Sequence, residues 1–290
     1  MDRCMQVLEQ KLKTWRWRAV SGLAAIGVAA VLAGCGPGAP AGPVPAVAVS
    51  NPYLESAVRE FLGPAAPVLN LAGPGSCPGH FDLRPGQARE LTRCWLLLRF
   101  DFQAALDNRL DDARAQGLRI VEVPAPEGLC LPASYFAVCR QTAATLTGAG
   151  LLPAPVAQEK LRRLETRLAE AAAATRSRLA PLNDAPVLAS PHQRAFCAWL
   201  GLRVVGVFDG TDAASPAAVN RVVQLGRRER VRFVIANRPE GRQLADALTG
   251  HLGLRAVVFD NFPGAAPGAP AGYDALLAGN VDALLRAAAP

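Results

Sequence analysis

The stretch Pro155–Ala180 reads PVAQEKLRRLETRLAEAAAATRSRLA, 26 residues with no glycine and no proline after the first. Apolar residues recur along it at helical spacing, and charged residues occupy the opposite face. Pro155 suits a helix start, and Pro181 ends the pattern. At about 1.5 Å per residue the helix would be about 39 Å long. It is either an ordinary surface helix of one domain or, as we favour from the similar size of the flanking halves, a helix joining two α/β halves.

Short apolar runs alternate with helical patterns on both sides of this helix. In the first half we expect strands at 68–71, 95–100 and 118–123, and helices at 52–62, 85–93, 102–116 and 132–146. In the second half we expect strands at 187–189, 202–208, 232–237 and 255–260, and helices at 192–200, 216–229, 239–252 and 273–288. This alternation predicts parallel sheets. Ligands bind beyond the carboxyl ends of such strands, which places Ser190, Asp209, 237–240 and 260–261 on one rim.

Composition argues against two classes of protein. The 290 residues are 51% hydrophobic, enough for a packed core, so global disorder is excluded. The net charge of +7 is modest, and only one lysine, Lys160, lies beyond residue 34. No basic stripe with interleaved aromatic residues occurs, so the sequence does not indicate nucleic-acid binding.

The N-terminus has the pattern of a targeting segment. A basic region ends at Arg18, and residues 19–33 are apolar, a length typical of a signal peptide and short for a membrane span. The run ends in Leu32-Ala33-Gly34-Cys35, which resembles the lipobox of bacterial lipoproteins. The resemblance implies a signal peptide at 1–34 and a lipid on Cys35, anchoring the protein in the cell envelope on the periplasmic face. Residues 35–50 are rich in Pro, Gly and Ala, and we expect a tether there.

Four short segments occur in a characteristic order. They are Pro78–Asp82 (PGHFD), Ala189–His192 (ASPH), the strand and turn of residues 233–240, and Val258–Asp260 (VFD). Their order and spacing resemble those of the substrate-binding proteins of metal-type ABC importers. The resemblance implies an α/β fold with two Rossmann-like lobes, at 51–154 and 181–290, joined by one long helix at 155–180 with a ligand cleft between the lobes. It also implies a monomeric, non-enzymatic protein that delivers a divalent metal ion to an ABC permease.

The resemblance also implies metal ligands from both lobes. His80 matches the family's first histidine and Asp260 its aspartate, whereas the second histidine has no counterpart, and Cys130, with Glu127 nearby, is the available donor in that loop. The third histidine is displaced, because Ser190 lies nearer the expected place than His192. We therefore expect His80, Cys130, His192 and Asp260 as ligands, with Ser190 and Glu240 behind them. A sulfur ligand favours zinc, with manganese as the second candidate.

Other interpretations of these residues stay open. His80 and His192 would also serve as helix caps, Asp260 would also end a strand, and Cys130 would also pair with Cys77, since an oxidising envelope permits disulfides. No nucleophile elbow, phosphate loop or dinucleotide fingerprint occurs. The alternatives to metal delivery are the same fold holding another small ligand, and a metal-dependent envelope enzyme.

Overall fold

The computed structural model describes residues 46–72, 83–208, 215–264 and 272–289. The predicted signal peptide, Cys35, Cys77, His80 and Asp209 lie outside these residues. Within the described ranges, no helix is both long and apolar enough to cross a membrane.

The chain folds into two four-stranded parallel sheets. The first contains β1 (Val47–Val49), β2 (Val68–Asn70), β3 (Leu96–Phe100) and β4 (Arg119–Val123), in the order β2-β1-β3-β4. The second contains β5 (Pro186–Ala189), β6 (Arg203–Val207), β7 (Phe233–Asn237) and β8 (Ala256–Phe259), in the order β6-β5-β7-β8. All neighbouring strands are parallel. The predicted α/β class with two lobes is confirmed.

Helices connect the strands, as parallel pairing requires. They are α1 (Pro52–Leu62), α2 (Pro85–Leu91), α3 (Asp111–Ala115), α4 (Pro132–Gly148), α5 (Ala154–Leu179), α6 (Arg194–Trp199), α7 (Pro216–Arg228), α8 (Gln243–Leu252) and α9 (Tyr273–Ala288). Short 3₁₀ segments add Asp101–Arg109, Ala180–Leu182, Pro191–Gln193 and Arg238–Glu240.

Three sequence predictions require correction. The tether does not reach Ser50, because the buried Val47–Val49 pairs with both β2 and β3. The single helix expected at 102–116 is instead a 3₁₀ segment followed by α3, since Gln103 has a non-helical backbone and turns its side chain to Ser50. The helix expected from residue 239 begins only at Gln243, because Gly241 has a φ of 80° and breaks the preceding turn.

One apolar core runs through both lobes. It includes Val49 and Phe100 from the first sheet, Val187 and Phe259 from the second, and Leu168 from α5. A separate cluster packs on the outer face of each sheet. The inner faces of the two sheets therefore pack against one common apolar core.

The long helix α5 contacts both lobes, and its observed bounds lie within one residue of the predicted ones. Arg167 forms ion pairs with Glu60 of α1 at 2.5 Å and with Asp274 of α9 at 3.0 Å. Lys160 donates to the carbonyls of Glu60 and Phe61, near the C-terminus of α1. The helix thus joins the two lobes by charged contacts on its surface and by apolar packing beneath.

Candidate functional site

A cavity of about 770 Å³ lies between the lobes. Its walls come from the first lobe at the start of α1 and the segments after β3 and β4, and from the second lobe at α6, β6 and the segment after β8. Its described lining residues are Tyr53, Phe102, Ala125, Pro126, Glu127, Gly128, Leu129, Pro191, His192, Arg194, Ala195, Ala198, Val207, Asn261 and Phe262. The lobes therefore enclose a space beyond the carboxyl ends of their strands, where open α/β sheets bind ligands.

A buried glutamine secures the end of the central strand in each lobe. After β1, Ser50 Oγ donates to Gln103 Oε1 at 2.5 Å, and Gln103 Nε2 donates back to the Ser50 carbonyl at 3.2 Å. Beyond β5, Gln193 Nε2 donates to Asn237 Oδ1 at 3.0 Å, at the end of β7. These contacts hold adjacent strand ends together and set the positions of the residues that follow them.

Cys130 lies at the contact between the lobes. Its thiol donates to Asn261 Oδ1 at 3.3 Å and lies 3.0 Å from the Tyr53 hydroxyl, while its carbonyl accepts from the Tyr273 hydroxyl at 2.7 Å. Tyr53 and Cys130 belong to the first lobe, and Asn261 and Tyr273 to the second. The predicted ligand is therefore part of a hydrogen-bonded contact between lobes.

Burial keeps the Cys130 thiol protonated. Desolvation raises the pKa of Cys130 to about 11; the hydrogen bond with Tyr53 partly opposes this increase, and the nearby Asp260 charge adds to it. The pKa of Tyr53 is raised as well, first by its own burial and then by Cys130. Because the thiolate is the form that binds metal, Cys130 would have to lose a proton to become a ligand.

His192 and Glu240 form a carboxylate–imidazole pair at the edge of the cavity. His192 Nδ1 lies 2.5 Å from Glu240 Oε1, and Ser190 Oγ donates to Glu240 Oε2 at 2.7 Å. The His192 side chain is 61% exposed, whereas that of Glu240 is 16% exposed. A proton on Nδ1 shared with the carboxylate leaves Nε2 with a free lone pair, the arrangement typical of metal-binding histidines.

Asp260 is held in place by two neighbours. Its carboxylate accepts from Arg238 Nε. Its backbone N–H donates to Asn280 Oδ1 at 2.8 Å, and Asn280 Nδ2 donates to its carbonyl at 2.9 Å. The carboxylate is thus already paired with a guanidinium, and it would have to exchange that partner to bind a metal ion.

The predicted site residues fall into separate groups. Ser190 and His192 both bond to the Glu240 carboxylate, whereas Cys130 and Asp260 each bond elsewhere. In the described ranges, no three His, Cys, Asp or Glu residues lie close enough to hold a metal ion. Cys130 has no disulfide partner among the described cysteines.

Sequence reasoning missed several residues that line the cavity. Tyr53 and Phe102 lie just after β1 and β3, and Arg194 begins α6. Tyr53 was missed because the residues of β1 were assigned to the tether. Only when these residues form a central strand does the start of α1 lie at the cavity. Phe102 lies two residues beyond the end of β3, so its position after that predicted strand was the signal that could have identified it.

Comparisons with known proteins bear on the fold. The sequence matches no protein-family model and no curated protein. A Mn-bound periplasmic metal-binding protein from Candidatus Liberibacter asiaticus has a similar structure, with a TM-score of 0.67 and 12% identity, covering 83% of this chain and 98% of that one. The values are the same for its Cd-bound form. ZnuA gives a TM-score of 0.70 and 13% identity over 84% and 98%. The chain therefore has the fold of these proteins.

Proposed function

We propose that this chain is the substrate-binding component of an ABC importer. It captures a divalent metal ion in its interlobe cavity and passes the ion to a membrane permease. The observation that carries the proposal is the cavity at the strand ends of two linked parallel lobes, a fold shared with Mn-bound and Cd-bound proteins and with ZnuA. On this proposal the protein works in the periplasm as a monomer, has no catalytic step and binds no nucleic acid.

The proposed ligands differ in how ready they are to bind. His192 is oriented by Glu240 and presents Nε2, so it needs no rearrangement. Asp260 must first leave Arg238, and Cys130 must first lose its proton. His80 is included on its sequence motif. Zinc is the first candidate because it accepts nitrogen, sulfur and oxygen ligands together, and manganese is the second.

Metal titration tests this function. Purified metal-free protein titrated with Zn²⁺ and Mn²⁺ by calorimetry, with metal analysis of the complex, should show one bound ion. His192→Ala should weaken binding about tenfold, or about 1.4 kcal/mol. His251→Ala is the matched control, since His251 is an exposed histidine near the end of α8. No binding of either ion to the folded protein would reject capture of the free ion.

The lipid anchor is a separate part of the proposal, supported by the Leu32–Cys35 motif. Cells labelled with a fatty acid should incorporate label into the wild type and not into Cys35→Ala. Equal label on the variant would reject an anchor at this position.

A second candidate is the same transport role with another small ligand. It is favoured by the lack of a three-donor group within the described ranges and by the size of the cavity. A folded protein that binds no Zn²⁺ or Mn²⁺ but gains thermal stability with an organic compound would support it.

A further inference from the structure

We propose that the cavity takes its metal ion as a complex with a small carboxylate chelator, so that the substrate is a metal chelate and not the bare ion. This inference rests on the proposed function, because it assumes that the cavity binds a metal ion. It follows from a guanidinium without a side-chain partner among the described residues, from the few metal donors on the described walls, and from the size and character of the cavity.

This guanidinium belongs to Arg194. It begins α6, lines the cavity and is exposed, and it forms no ion pair or hydrogen bond with the side chain of any residue in the described ranges. The positive charge of Arg194 repels a bare divalent cation. The guanidinium fork matches a carboxylate with two parallel hydrogen bonds. An anionic chelator would therefore turn a repulsive contact into an attractive one.

The described walls offer few metal donors. His192 presents one nitrogen, and Glu127, on the opposite lobe, presents a carboxylate without an ion pair to a described residue. The Glu240 carboxylate already accepts from His192. Of the other described ligands proposed above, Asp260 is paired with Arg238 and the Cys130 thiol is bonded to Asn261. Zinc requires about four donors, so a chelator that brings its own oxygens would complete the coordination shell around His192 and Glu127.

The cavity has room and apolar contacts for an organic molecule. Its volume of about 770 Å³ lies within the range of small-molecule sites and far exceeds what a single ion needs. Phe102 and Val207 are 54% and 44% exposed, both unusual for large apolar residues, and they line the cavity from opposite lobes. These side chains would contact the carbon skeleton of the chelator while Arg194 holds its carboxylate.

Equilibrium dialysis with three probes tests the inference on the purified full-length chain. The probes are Zn²⁺ as chloride, citrate alone, and equimolar zinc citrate, with zinc and citrate counted separately. We expect zinc citrate to bind with at least about tenfold higher affinity than Zn²⁺ alone, and one citrate to be retained per zinc. Arg194→Gln should weaken zinc citrate binding about tenfold and leave the affinity for Zn²⁺ alone unchanged or higher.

Arg221→Gln is the matched control, because Arg221 is an exposed arginine on α7 of the same lobe and does not line the cavity. It should bind Zn²⁺ and zinc citrate like the wild type, and circular dichroism should show that both variants fold. Zinc retained without citrate, or zinc citrate bound equally by Arg194→Gln, would overturn the inference and leave metal capture standing. If neither Zn²⁺ nor zinc citrate binds, both this inference and the proposed metal capture are overturned.

Discussion

Gly128 provides a quantitative test of how closely the lobes approach each other. It lines the cavity between Glu127 and Cys130, with a φ of 64°. A Cβ added there would lie 2.9 Å from Leu131 Cδ1 and 3.3 Å from Ala195 Cβ of α6, in the other lobe. Ala195 Cβ is attached directly to the backbone, so relief of that contact requires movement of the loop or of the helix.

Two terms make up the expected effect of Gly128→Ala on the free energy of unfolding. The left-handed backbone conformation costs an alanine about 1–2 kcal/mol. Overpacking between the loop and α6 adds about 1–3 kcal/mol. Gly253→Ala is the matched control, because Gly253 has a φ of 69° with nothing within 4 Å of the added Cβ, so it carries only the backbone term.

Urea denaturation of both variants, followed by circular dichroism, separates these terms. We expect Gly128→Ala to be less stable than Gly253→Ala by about 1–3 kcal/mol. Equal destabilisation of the two variants would refute the reasoning, since it would mean that the loop moves away from α6 without cost.

Three further predictions concern charged and titrating groups. Glu240→Gln should weaken zinc binding about 10–100-fold without unfolding the protein, because His192 loses the carboxylate that orients it; calorimetry measures this. Cys130 stays protonated in the folded chain to about pH 11 but ionises from about pH 9 in the unfolded chain, so the free energy of unfolding should fall between these two pH values. Over the same interval the urea midpoint of Cys130→Ala should fall less than that of the wild type. Hydrogen bonds from Arg99 lower the pKa of Asp107 in the folded chain. The contribution of this pair to stability is therefore present above about pH 4 and is lost as pH falls through the folded-state pKa of Asp107. Asp107→Asn should therefore lower stability at pH 7 by about 2 kcal/mol, and the difference from wild type should shrink in acid titrations.

Much of the fold could be predicted because its signals are local. The apolar spacing and flanking prolines of α5 located both of its ends within one residue. The strands at residues 96–100 and 233–237 were evident because they contain the apolar runs LLL (residues 96–98) and FVIA (residues 233–236). β1 was missed because three apolar residues in a Pro- and Ala-rich stretch have no periodicity, and only pairing with β2 and β3 makes them a strand.

The sequence by itself determined the elements, their order and the types of residue at the strand ends, since backbone propensity and apolar periodicity depend on near neighbours. Only the tertiary structure decided which polar groups already satisfy one another. Cys130 contacts Asn261 across 131 positions of the chain, and Ser190 contacts Glu240 across 50. Such contacts depend on how the strand ends of two lobes meet, and no local pattern records them. For the same reason Arg194, which has no side-chain partner in the described ranges, could be recognised only once its neighbours were in place.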